Sequence, residues 1–258
     1  MTTTLRHPPL VEAILELRWQ LKPNQVGLLA DPNYSLIVGK IHERIGKKYP
    51  EHIALPSSNI PPEMAPYVVQ HQFRTTKEGW PLCQVGSGIL TYNDIHNDSH
   101  AYLWDSFHEN ARELIKAFFE SYSAFGSLEI GGIYLRYINA LEEDFSRTSI
   151  LNIIDEVLSI KIEIPPKVFE KTSTRDCPFF TDFRVSYPHE SPKGVMEIRV
   201  ARGTNNQKDA LFVELGLRTG DSDIPQTIGE VDTWINQAHG LTDCLFKILF
   251  NSVMERFQ

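Results

Sequence analysis

The sequence predicts an α+β fold: antiparallel sheet with one polar face, packed on its other face by long helices. Three observations predict it. Several segments alternate apolar and polar residues with a period of two. Two long segments carry apolar stripes at helical spacing. Runs of strands are closed by a helix twice along the chain.

The first strand lies in HPPLVEAILELRWQL. Val11, Ala13, Leu15, Leu17 and Trp19 share one parity, while Glu12, Ile14, Glu16, Arg18 and Gln20 share the other. Prolines on both sides are suitable stops. The next helix is SLIVGKIHERIG, with Ile37, Val38, Ile41 and Ile45 on one stripe. VVQHQFRTT alternates Val69, His71 and Phe73 with Gln70, Gln72 and Arg74, again a half-buried strand. In QVGSGIL, Gly86 and Gly88 flank a serine with no helix start behind them, so a tight turn between strands is expected rather than a phosphate cradle. DSFHENARELIKAFFESY is the first long helix, its stripe running through Phe107, Ala111, Leu114, Ile115, Phe118 and Tyr122, and Ser106 and Glu109 are spaced as a capping box.

IYLRYINAL is apolar on both parities apart from Arg136 and Asn139, which predicts a central strand. A short helix near 149–158 follows. FRVSYP, VMEIRVAR and LFVELGLRT then alternate like the first strand, placing Glu197, Arg199, Glu214 and Arg218 on polar parities. The last helix opens with a capping-box pair, Thr227 and Glu230, and would run about 30 residues unless Gly240 interrupts it. LELR, MEIR and VELGLR share an acid–arginine core, a weak sign of internal duplication. The expected halves are 1–145 and 146–258, joined at the polar stretch LEEDFSRTS or folded as one domain.

Composition narrows the function classes. With 258 residues, 41% hydrophobic and 22% charged, the chain can bury a sizeable core. A formal net charge of -8 disfavours nucleic acid and anionic membranes as partners. No apolar run is long enough to span a bilayer and the start lacks a secretory signal, so a cytoplasmic location is expected. The three cysteines are widely spaced, which indicates neither a disulfide framework nor a zinc site; Cys83 and Cys244 are expected in the core and Cys177 at the surface.

The candidate binding residues are the charges on the polar strand parities: Glu12, Glu16, Arg18, Arg136, Glu197, Arg199, Glu214 and Arg218. If their strands are neighbours, opposite charges pair across the sheet. The same face could recognise a carboxylate or phosphate through its arginines, although the glutamates would neutralise part of that charge. DIHNDSH places Asp94, His96, Asp98 and His100 at alternate positions with metal-binding chemistry, but such runs between strand and helix are ordinarily turns, and no metal is assigned. No nucleophile has an activating partner in sequence, so no catalytic residue and no cofactor are assigned.

PPLVEAILELRW, LCQVGSGILTYN, YLWDSF and IYLRYIN occur in that order over the first 140 residues or so, with looser matches through FRVSY and ALFVELGLRT. In this the chain resembles a sporadically distributed, uncharacterised family of bacterial proteins of about this length. The resemblance implies recurrent positions at Glu12, Glu16, Arg18, Gly86, Gly88, Trp104, Arg136, Tyr137 and Asn139. It also implies the scattered occurrence of antitoxins, immunity factors or antiphage components. The function expected is therefore a non-enzymatic protein-binding component with a protein partner or a second copy of itself. The alternative is an enzyme or sensor holding a phosphorylated or nucleotide-like ligand on the Arg/Glu face.

Overall fold

In the computed structural model, which describes residues 5, 7–146 and 148–257, the frame is a nine-stranded antiparallel sheet. In chain order its elements are β1 (Leu10–Trp19), a two-stranded ribbon of β2 (Lys22–Pro23) and β3 (Leu29–Ala30), α1 (Tyr34–Ile45), and β4 (Glu51–Ala54). Then come β5 (Val69–Arg74), β6 (Leu82–Gly86), β7 (Ile89–Ile95), α2 (Trp104–Tyr122) and β8 (Ile130–Glu142). The chain continues through α3 (Ile150–Leu158), α4 (Pro166–Thr172), β9 (Asp182–Glu190), β10 (Lys193–Asn205), β11 (Lys208–Thr219) and α5 (Ile228–Leu249). The strands lie in the order β4-β5-β6-β7-β1-β8-β11-β10-β9. The first strand of the sequence is thus the middle strand of the sheet, and β8 is its neighbour, as its two apolar parities predict.

The order repeats itself. β1 is followed by a helix, a meander ending in β7, and α2; β8 is followed by helices, a meander ending in β11, and α5. In each half the opening strand pairs with the last strand of its meander, and β1 pairs antiparallel with β8. The repeat makes β1 equivalent to β8. The acid–arginine segments lie instead on β1, β10 and β11, which are not equivalent positions, so that similarity reflects a shared face rather than the repeat. The repeat also begins with β8 itself, ahead of the polar stretch near 146.

All the buried helical residues lie on one side of the sheet. Ala13, Leu15, Leu17 and Trp19 of β1 pack with Ile37, Val38, Ile41 and Ile45 of α1, with Phe107, Ala111, Leu114, Ile115 and Phe118 of α2, and with Val231, Trp234, Ile235 and Ala238 of α5. A second cluster joins Ile198, Val200, Leu211, Val213 and Leu215 to α3 and to the 3-10 turn Asn251–Phe257. Trp19 is fixed in place by its indole N–H, which donates to Asp31 at 2.8 Å. α4 buries no residue. No core helix packs on the opposite sheet face, which is open along its charged part, whereas at β5 Gln70 is buried and donates to the Ser57 and Ile60 carbonyls.

Several local expectations are corrected. α2 starts at Trp104 with Leu103 as an extended N-cap and no side-chain cap, so Ser106 and Glu109 sit inside the helix and form no capping box. The capping box at α5 is present, Glu230 N–H donating to Thr227 Oγ1 while the Thr227 N–H donates to the Glu230 carboxylate. α5 runs through Gly240 but ends at Leu249, after 22 residues, before the 3-10 turn. Cys83 is buried and Cys177 exposed as expected, but Cys244 is exposed on α5. Gly88 turns β6 into β7 with φ +83°, and a Cβ at Gly86 would stand 1.9 Å from the Val68 carbonyl oxygen. No helix among the described residues is long and apolar enough to cross a membrane.

Candidate functional site

The strand registers bring all eight predicted charges onto the open face. Three rows cross it. Gln84, Thr91, Glu16, Tyr134, Arg218 and Val195 form one. Leu82, Asn93, Ile14, Arg136, Gly216, Glu197 and Ser186 form the next. Ile95, Glu12, Ile138, Glu214, Arg199 and Arg184 form the third. Every residue in these rows has the parity opposite to the packed one, which is why charge persists along four neighbouring strands.

The pairing is mostly diagonal rather than straight across. Arg218 Nε lies 3.1 Å from Glu197, Arg136 Nη1 3.2 Å from Glu214, and Arg18 Nε 2.6 Å from Glu16, two residues away on its own strand. Among the eight, only Arg199 and Glu214 are directly opposed with opposite sign, at 3.9 Å. Arg199 also faces Arg184, and this like-charge contact is relieved by Asp182, which accepts from Arg199 Nε and Nη2 at 2.9 and 2.7 Å. That pair holds the Asp182 carboxyl below, and the Arg199 guanidinium above, their ordinary pKa values. Glu12 stands apart from the arginines and accepts from Asn93 Nδ2 at 2.8 Å.

Tyr134 ties the network together. Its hydroxyl lies 3.1 Å from both Glu197 and Glu214, so one phenol bridges two buried carboxylates. Burial, reinforced by Glu214 and Glu197, pushes its pKa well up and keeps it a donor. The alternation of IYLRYINAL put Tyr134 on the parity of Arg136, so this residue could have been found. Arg184 likewise has the polar parity of FRVSYP, whereas the partnerships of Asp182 and Asn93 depend on pairing across strands, which the sequence alone does not reveal.

The ion pairs share one polarity of exposure. Side chains of Glu197 and Glu214 are each 9% exposed and Glu16 12%, against 50% for Arg18, 51% for Arg184 and 44% for Arg218. Carboxylates form the floor and guanidiniums the outer layer. A recess of about 310 Å³ opens among Arg18, Arg184, Arg218, Glu16, Glu197 and Tyr134, next to Gly131 and Gly132, which have no side chains to fill it. Arg18 also lies over the Tyr67 ring, 5.3 Å from its centre.

The other candidates fall elsewhere. In DIHNDSH, β7 ends at Ile95 and Asn97 pairs with His100 in a turn, so the four side chains do not align. Asp94 and His100 meet at 2.6 Å, and no group of three or more metal-binding side chains occurs among the described residues. Trp104, Tyr137 and Asn139 lie on the packed side: the Trp104 ring stacks on His239 at 3.6 Å, and Tyr137 Oη is 2.9 Å from His239 Nδ1. The chain matches no protein-family model, no curated protein and no solved structure.

Proposed function

We propose that this chain is a non-enzymatic protein-binding component whose open sheet face docks an acidic segment of its partner. The observation that carries this reading is the layering of the face, with glutamates at the floor and half-exposed arginines above them. Close contact then meets guanidinium groups first, and carboxylates presented by a partner can take their free N–H donors. The net charge of -8 supports a protein partner over a nucleic acid. An antitoxin, immunity or antiphage setting fits such a component and is proposed with it.

The experiment is native purification from the source cells of wild type beside Arg18→Glu/Arg218→Glu, with mass spectrometry of the eluates and melting curves of both proteins. A stoichiometric protein partner lost from the variant at unchanged Tm supports the reading; a partner retained by the variant overturns it. Arg18 and Arg218 suit this test because they are exposed. Arg136 does not, since its side chain is 28% exposed and anchors Glu214. The recess beside Gly131 and Gly132 favours one second reading, an enzyme or sensor for a phosphorylated ligand held by Arg18, Arg184 and Arg218. Thermal shift with nucleotides, inorganic phosphate and divalent ions separates the two.

A further inference from the structure

On the packed side of the sheet, a cavity of about 150 Å³ lies where β8, β11 and α5 meet the segment before β1. Six of the residues around it carry rings: Pro8, Pro9, Tyr102, Tyr137, His239 and Phe246. Leu5, Leu10 and Leu215 complete the apolar wall. A space of this size accepts a benzene-sized molecule.

One end of the cavity is polar and built. Tyr102 Oη donates to Tyr137 Oη at 3.2 Å, which leaves the Tyr137 proton for His239 Nδ1, 2.9 Å away. Burial holds the His239 pKa down to about 4, so the ring is neutral at pH 7, and in the tautomer that accepts from Tyr137 its proton sits on Nε2. Nε2 makes no hydrogen bond to another described residue. Asn139, only 3% exposed, donates through Nδ2 to the Val213 carbonyl at 3.3 Å, while its Oδ1 accepts nothing among the described residues. Asp243, the remaining ionisable group at the described wall, is part-exposed and paired with Lys247 at 2.5 Å. Among the described residues, the cavity thus offers flat apolar walls, one free donor, one buried acceptor and no charge without a partner.

We propose that this cavity is a binding site for a small, neutral, planar molecule: an aromatic ring carrying one hydroxyl or amide-like group that pairs with Asn139 Oδ1 and His239 Nε2. Charged rings of equal size are disfavoured, because the described wall offers no unpaired counter-charge to replace their hydration. The site is on the opposite side of the sheet from the arginine face, so it stands or falls apart from the docking role.

The test is calorimetric titration of the full chain at pH 7 with phenol, benzoate and benzylamine. Phenol is expected to bind saturably, one per chain, with a Kd on the order of a millimolar or tighter. Benzoate and benzylamine are expected to bind at least about tenfold more weakly. Thr242→Leu and Leu10→Phe each fill the cavity from a different element, and either is expected to abolish the phenol heat while Tm holds or rises. Absence of saturable phenol binding, equal binding of the three probes, or unchanged phenol binding in folded forms of both variants overturns the proposal.

Discussion

His239 makes the fold sensitive to mild acid. Its ring is stacked on Trp104 and bonded to Tyr137, and burial holds its pKa near 4 against an ordinary 6.5; Asp243 and Asp105 nearby oppose the shift, while His108 and Lys247 add to it. Between these two values the unfolded chain binds a proton at this position that the folded chain refuses, so stability is full above pH 6.5 and falls as pH drops toward 4. At pH 5 the unfolded side chain is almost fully charged and the folded one about nine-tenths neutral, which works out to about 2 kcal/mol lost relative to pH 7. The substitution is His239→Gln, whose amide oxygen still accepts from Tyr137 but does not titrate. Urea unfolding at pH 7 and pH 5 should show wild type losing about 2 kcal/mol more than the variant. His52, His71 and His96 are also held low by burial, but they are common to both proteins and cancel. Equal losses in the two proteins, within about 0.5 kcal/mol, would refute the reasoning.

Three further outcomes follow from the packing. Tyr134→Phe removes the phenol between Glu197 and Glu214 and should cost about 2 kcal/mol, the worth of a hydrogen bond to a charged group; an unchanged urea midpoint would contradict this. Thr227→Ala opens the capping box of α5 and should cost about 1 kcal/mol, read as a fall of roughly 2–4 °C in Tm. Gly86→Ala drives a Cβ against the Val68 carbonyl and should displace β5 from β6, seen as faster amide exchange confined to those strands, whereas a wild-type exchange pattern would show that the backbone gives way without harm.

Much of this architecture is legible in single strands. The parity of LVEAILELRW places Glu12, Glu16 and Arg18 on one face whatever its neighbours are, and the stripes of α1 and α2 select the residues that pack beneath. Strand order is less legible, because period two reports a face and not a partner. Hence Asp182 escapes notice while its partner Arg199 does not. Ser106 and Glu109 mislead for a different reason: the spacing is right, but the Trp104 side chain packs against the core with His239 and Phe107, and the helix begins three residues earlier. Cys244 misleads because its apolar neighbours belong to a helix whose outer side also carries Ile248. The ring-lined cavity draws Pro8, Tyr137 and His239 from parts of the chain too distant for any local pattern to connect.

The central position of β1 bears on how the chain is made. Leu17 has Leu90 on one side and Ile133 on the other, the latter more than a hundred residues downstream. At the usual pace of synthesis, an apolar ten-residue strand waits on the order of ten seconds before its second neighbour leaves the ribosome. During that interval the half from β1 to α2 can close its own meander but has, besides the permanent edge at β4, a bare sheet edge along β1. Any chaperone that attends this protein should therefore be needed before β8 emerges, and truncation ahead of Ile130 should yield a species that pairs edge to edge.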